Sequence, residues 1–161
     1  MAFTEELMDA LEKHERETMG QIKRIEKVFH VLDIEEEKKK CIAVEAMIKE
    51  ANQNIKDSPK MSMTRDAIII ICSQKLEHYE IATYGSLVQI AKTFQMDAVS
   101  SILEKTLDEE EDTDYSLSEI ALSFINLEAA KEDVSSINEN NNKNEEPSKS
   151  ESSAKKTKEN K

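Results

Sequence analysis

Glycine, proline and tryptophan are scarce in this chain of 161 residues, which contains two glycines, two prolines and no tryptophan. β-Sandwiches, barrels and glycine-rich phosphate loops need many turn residues, so the composition excludes these architectures. Long apolar runs are also missing, because the longest extends only from Ala67 to Cys72. A membrane helix needs about 20 apolar residues, and none is predicted. The composition is that of an all-α protein.

Basic residues are few relative to acidic ones, with 22 Lys and Arg against 34 Asp and Glu and a net charge of -12. Such a surface repels phosphate backbones and anionic lipids, so we expect no nucleic acid and no membrane as partner, and metal cations are favoured instead. The N-terminus has neither a basic nor an apolar signal region. With only Cys41 and Cys72, the sequence predicts a cytoplasmic protein with free thiols.

The chain divides by composition into two parts. Residues 138–161 are rich in Asn, Lys, Ser and Glu and are predicted to form a disordered tail. Because this tail contains slightly more lysine than glutamate, the acidity belongs to residues 1–137, which are predicted to form one helical domain.

Apolar residues recur at alternating spacings of three and four in the first part, which is typical of helices packed in a bundle. We predict an up-down bundle of three long helices and one short helix. The predicted helices cover residues 4–32, 35–56, 63–95 and 98–131. The core face of the third helix is predicted to include Ile70, Leu87 and Phe94.

The predicted core face turns polar near the middle of each long helix. The polar positions are His14, Thr18 and Gln21 in the first helix, Glu77 and Glu80 in the third, and Glu110 and Asp114 in the fourth. Antiparallel packing could bring these positions to one level. The sequence therefore predicts a polar layer between two apolar ones.

Several carboxylates and an imidazole in a core would repel one another unless cations neutralise them. Facing Glu and His side chains in a four-helix bundle are how di-iron and di-manganese proteins build their sites. The predicted metal ligands are His14, Glu17, Glu77, Glu80, Glu110 and Asp114. The alternative is that these carboxylates lie at the edge of a wide bundle, with their heads in water or in salt bridges between helices.

The segment EHYEIATYG at residues 77–85 resembles the bacterial ferritin-like stress-protein family of the YciE/YciF type. Further matching stretches include residues 14–18, 25–29, 40–51 and 106–110, so the resemblance covers about residues 7–125. It implies a ferritin-like helical bundle, often dimeric, with a rubrerythrin-like dinuclear site and a link to stress.

The resemblance also implies roles for individual residues. Glu77 and Glu80 match the family's Glu-x-x-Glu motif, and His14 with Glu17 match its histidine-containing second helix. Glu110 and Asp114 match the last bundle helix.

Family members usually begin with a further helix that carries a metal-ligand glutamate, and this sequence starts at the position of the helix after it. Three alternatives stay open. The short helix around Glu45 and Glu50 closes the groove, a second subunit supplies a wall, or the metal site is incomplete.

Two functions are therefore predicted. The first is a stress-response protein that binds Fe or Mn in a dinuclear site, forms a homodimer, and oxidises Fe(II) or removes peroxide. The second is a non-catalytic helical interaction or scaffold protein without a complete metal site.

Overall fold

The computed structural model of the chain describes residues 1–132, which form four helices and no strand. The predicted tail, residues 138–161, and the last residues of the predicted domain lie outside this described part. The α-helices are α1 (Glu5–Leu32), α2 (Ile42–Asp57), α3 (Met63–Thr93) and α4 (Asp97–Ile120). The prediction of three long helices and one short helix is confirmed.

Helix α4 is the central element of the bundle, because it packs against both α1 and α3. Its C-terminal end meets the N-terminal ends of the other two, so α1 and α3 run in one direction and α4 in the other. Helix α2 packs mainly on α3 and buries none of its own residues.

Two apolar clusters fill the ends of the bundle. The first cluster contains Leu7, Ile69, Ile70, Leu117, Ile120, Ala121 and Ile125. The second contains Val88, Ala91, Val99 and Leu103, with Ile25, Val28 and Leu107 packed against it. Between the clusters lie buried polar side chains, as the breaks in the core faces predict.

Helix α4 changes its winding near its end. Residues Ala121–Ile125 form a π-helical turn, in which the backbone N–H of Asn126 donates to the carbonyl of Ala121, and residues 126–132 return to α-helix. A π turn inserts one residue into the helix and so changes which side chains face the core. Ile125 in this turn is completely buried, whereas Leu122 is exposed.

Two details of the sequence prediction are wrong. Helix α2 begins at Ile42 and not at residue 35, because the charged residues between Ile34 and Cys41 offer no apolar side chain to pack against the bundle. Leu87 and Phe94 are exposed, with 40% and 68% of their surface accessible, and Val88 lies in the core instead.

Candidate metal centre

Three of the predicted ligands meet in the middle of the bundle, one from each long helix. His14 of α1, Glu77 of α3 and Glu110 of α4 each offer a ligand atom, and these atoms lie within 4.8 Å of one another. Glu77 is 2% exposed and Glu110 is completely buried. An imidazole nitrogen and two carboxylates suit iron, manganese or zinc.

The carboxylates of this group are not fully satisfied by the protein. Oε2 of Glu77 and Oε2 of Glu110 are buried and accept no hydrogen bond. Oε2 of Glu17, which follows His14 by three residues on α1, is also buried without a partner. Buried polar atoms in folded proteins nearly always have a partner, so each exception requires an explanation. A cation bound between these oxygens would supply one.

The electrostatics of the group leads to the same conclusion. Burial, together with the close approach and the charge of the Glu110 carboxylate, raises the pKa of Glu77 to about 9. Burial and the charge of Glu110 raise the pKa of Glu80 to about 7. Burial and neighbouring carboxylates thus disfavour the charged form of both carboxyls.

Side chains of α1 and α4 brace Glu110 and its neighbour. Nε2 of Gln21 donates to Oε1 of Glu110 and, at 3.3 Å, to Oε2 of Glu109. Arg24 forms an ion pair with Glu109 and donates to Oγ1 of Thr106 at 2.8 Å. Arg24 therefore neutralises the charge of Glu109, and the donor to Glu110 is the uncharged amide of Gln21.

The two ring nitrogens of His14 face different groups. Nε2 lies 3.5 Å from Oε1 of Glu77, and Nδ1 lies 3.2 Å from Oγ1 of Thr113 on α4. The ring thus spans the space between α3 and α4, with Nε2 on the side of the carboxylates.

The other three predicted ligands lie around this group, and none of them belongs to it. Glu80 is partly buried one turn after Glu77 and lines a cavity beside the group. Glu17 uses one oxygen in an ion pair with Lys13 at 2.8 Å. Asp114 accepts a hydrogen bond from Gln74 at 3.1 Å and lies 3.5 Å from Nε2 of His78. Whether any of the six residues binds a metal stays a prediction.

A cavity of about 240 Å³ opens between α1 and α3 next to these residues. Thr18 and Gln21 of α1 line one side, Glu80 and Tyr84 of α3 line the other, and Glu36 lies at its border. This cavity provides space beside the carboxylates for a small molecule.

The short helix does not complete the site. Glu45 is exposed and pairs with Lys40 at 3.2 Å, and Glu50 pairs with Lys75 at 2.7 Å on the face of α3 that α2 covers. Neither glutamate reaches the polar layer. Of the three alternatives left open by the sequence, the closure by α2 is therefore wrong.

Sequence reasoning placed Gln21 on the core face but gave it no role, and it missed Thr113 altogether. A signal was present, because Thr106, Glu110 and Thr113 follow one another at spacings of four and three on α4. Both threonines are buried.

The family model described as Domain of unknown function (DUF892) matches residues 1–130. The chain belongs to the DUF892 family. Over 126 residues this DUF892 chain is 39% identical to Protein YciF of Escherichia coli strain K12, and the match covers 78% of this chain and 75% of YciF. The resemblance to proteins of the YciF type is confirmed.

Two solved structures share the fold of this DUF892 chain. The crystal structure of the E. coli stress protein YciF matches with a TM-score of 0.71 and 38% identity, over 76% of this chain and 77% of that one. YcfI from Rhodopseudomonas palustris, described as "a putative structural protein", matches with a TM-score of 0.70 and 32% identity, over 73% and 74% of the two chains.

In the described part of the DUF892 chain, no helix combines the length and the apolar character that crossing a membrane requires.

Proposed function

We propose that this chain is a ferritin-like protein that binds Fe or Mn between α1, α3 and α4 and acts in a bacterial stress response. The observation that carries the proposal is the group of His14, Glu77 and Glu110, whose ligand atoms lie within 4.8 Å of one another while two buried carboxylate oxygens have no partner. The similarity to a stress protein supports the physiological part.

A dinuclear centre would use the surrounding residues as well. Glu80 lies one turn after Glu77 and has a raised pKa, and Glu17 has an unpartnered buried oxygen. Asp114 lies one turn after Glu110 and raises the pKa of Glu77 through its charge. Two divalent ions would neutralise these carboxylates, as in other di-metal helical bundles.

A bound Fe or Mn ion supplies one-electron redox chemistry and a Lewis-acid centre. The protein holds the ligand oxygens in place through Gln21 and leaves the cavity beside Glu80 and Tyr84 open to small molecules. Fe(II) oxidation by oxygen, or peroxide removal, is therefore the proposed reaction class.

Metal uptake by isolated protein is the direct test. Protein purified without chelator is analysed for metals, titrated with Fe(II) under anaerobic conditions and then exposed to air. We expect about two ions per chain for a dinuclear site. Replacing both Glu77 and Glu80 with Ala should abolish uptake while helicity is kept.

A matched pair of variants on α4 separates ligand loss from general charge loss. Glu110→Gln removes a buried carboxylate of the group, and Glu111→Gln removes an exposed one at the next position. We expect the first to lose metal and the second to keep it. Equal uptake by both variants and the parent would contradict the assignment of Glu110.

A second proposed function is that of a non-catalytic structural or interaction protein. Helix α1 exposes Met19 and Ile22, α3 exposes Ile90, and Phe94 is exposed directly after the end of α3. Between 48% and 68% of the surface of each of these residues is accessible. Exposed apolar residues can form a protein interface. The description of YcfI as a structural protein agrees with this alternative.

We propose a homodimer as the assembly in either case, since a second copy would cover apolar side chains of α1 and α3. Light scattering tests this proposal. A monomer that binds no dye for apolar surface would contradict both the dimer and the scaffold function. The cytoplasmic location stays a prediction, which cell fractionation tests.

A further inference from the structure

Neutral histidine has one protonated ring nitrogen, and only the other nitrogen can bind a metal. In a buried site the protonated nitrogen needs an acceptor, because an unpaired N–H group away from water costs free energy. The identity of that acceptor therefore decides which nitrogen faces the metal.

Thr113 is in the position to be this acceptor. Its Oγ1 lies 3.2 Å from Nδ1 of His14, and the residue is only 7% exposed. On the opposite side of the ring, Nε2 lies 3.5 Å from Oε1 of Glu77. The hydroxyl oxygen of Thr113 can accept a hydrogen bond from a protonated Nδ1, which leaves Nε2 unprotonated and facing the carboxylates.

We propose that Thr113 is the positioning residue of the candidate metal centre, in that its hydroxyl oxygen accepts a hydrogen bond from the Nδ1–H group of His14 and commits Nε2 to the metal. This inference rests on the proposed function, because it specifies the atom through which His14 binds. It assigns no contact between Thr113 and the metal itself.

The opposite orientation of the His14 ring, with Nδ1 towards the metal, has no such hydrogen-bond partner in place. If Nδ1 bound the metal, the Nε2–H group would have to take over the hydrogen bond with Thr113, and the ring would have to turn over between α3 and α4. Partners of the second ring nitrogen fix both the orientation and the basicity of metal-bound histidine. Thr113 joins α4 to a ligand on α1 in this way.

The test uses Zn²⁺ as the probe, because it is diamagnetic and accepts the same nitrogen and oxygen ligands. Thr113→Val removes the hydroxyl with little change in shape, and Thr113→Ser keeps the hydroxyl but removes the methyl group. By calorimetric titration we expect Thr113→Val to bind Zn²⁺ about 10- to 100-fold more weakly than the parent. Thr113→Ser should bind like the parent.

A spectroscopic measurement distinguishes positioning from a merely structural role. Long-range ¹H–¹⁵N correlation spectra of Zn²⁺-loaded protein should show His14 protonated at Nδ1 and bound through Nε2. In Thr113→Val, His14 should no longer be held in this single protonation and binding state. His30, which lies in the last turn of α1, serves as an internal reference.

The possible outcomes separate the two proposals. A parent protein that takes up no Zn²⁺ overturns the proposed function and this inference together. If the parent binds Zn²⁺ and Thr113→Val binds it equally well, or if His14 binds through Nδ1, only the role of Thr113 is overturned. Circular dichroism checks the fold of each variant, and Thr113→Ala provides a second hydroxyl-free variant if Thr113→Val does not fold.

Discussion

Buried polar residues occur in two regions of this bundle, and the two regions differ in how they are satisfied. At the end where α1 and α3 begin, completely buried Asp66 accepts hydrogen bonds from Phe3 N–H, Thr4 N–H and Thr4 Oγ1 at 2.7–2.8 Å. Arg65 beside it donates to the carbonyls of Pro59 and Ser58. We call this region the capping end.

The polar layer has a different balance. It contains His14, Gln21, Glu77, Glu80, Glu110 and Thr113. Two of its buried carboxylate oxygens have no partner, and the pKa of Glu77 is raised to about 9. Both regions bury acidic side chains, but only the capping end matches each of them with donors. The capping end therefore stabilises the fold, whereas the polar layer costs stability, which a bound cation would offset.

The largest expected effect concerns the capping end. Asp66→Ala should lower the free energy of unfolding by about 3 kcal/mol, because hydrogen bonds to a charged acceptor are lost and their donors are left without partners. Urea denaturation measures this change. Asp108→Ala, at an exposed position of α4, is the control and should change stability little. A small loss for Asp66→Ala would remove the contrast between the regions.

The polar layer should make the metal-free protein less stable as the pH rises. The pKa of Glu77 is raised from 4.5 to about 9, and that of Glu80 from 4.5 to about 7. Between pH 4.5 and these raised values, the folded protein therefore binds more protons than the unfolded chain. The stability that these groups contribute is fully present below 4.5 and is lost as the pH rises through 7 and 9. We expect a loss of about 2 kcal/mol in urea denaturation across this range, and a smaller loss when metal is bound.

Removing one charge from the polar layer should stabilise the metal-free protein. In Glu77→Gln the amide can donate to Glu110 and carries no charge at any pH, so we expect a gain of about 1 kcal/mol above pH 9, where the Glu77 carboxyl of the parent is ionised, and little change at neutral pH. Thermal unfolding without metal measures the gain. In the presence of metal the order should reverse, because the parent gains binding free energy that the variant lacks. A loss of stability in the metal-free variant would show that Glu77 is already compensated.

The sequence predicted much of the fold, because buried positions on an amphipathic helix recur at fixed spacings. The sequence prediction failed in the second half of α3, where the alternating spacing of three and four residues between core positions was extended to Leu87. That repeat averages 3.5 residues per turn and drifts away from the 3.6 residues of a straight helix. Val88 follows Ile70 by 18 residues, which are five turns of 3.6 residues, so the two side chains lie on the same face of a straight helix. Both are buried.

The sequence also located the polar layer, since His14, Glu77 and Glu110 interrupt otherwise apolar core faces. It could not separate these three from Glu17 and Asp114, because residues one turn apart share a helix face in any sequence pattern. Which of them meet depends on the heights and rotations of three helices. The hydrogen bond between Thr113 and His14 depends on the same quantities.

The smallest expected effect concerns the second carboxylate of the capping end, Glu132. Its oxygens accept hydrogen bonds from Met63 N–H, Thr64 N–H and Thr64 Oγ1, each at 2.9 Å, so it caps the N-terminus of α3. Burial raises the pKa of Glu132, but these three hydrogen bonds together lower it by more. The net pKa therefore lies below the ordinary value.

Glu132→Gln should reduce stability by only about 0.5 kcal/mol, because an amide oxygen still accepts a hydrogen bond and the charge is largely exposed to water. Urea denaturation at neutral and at acidic pH measures the difference. Glu128→Gln is the control, because Glu128 forms an exposed ion pair with Lys131 at 2.6 Å. The depressed pKa means that the contribution of Glu132 is present at neutral pH and is lost as the pH falls through that pKa. The capping end should thus weaken in acid and the polar layer in base. If both regions weakened in the same direction, the carboxylates of the polar layer would have to be compensated within the protein, and the case for a bound cation would fail.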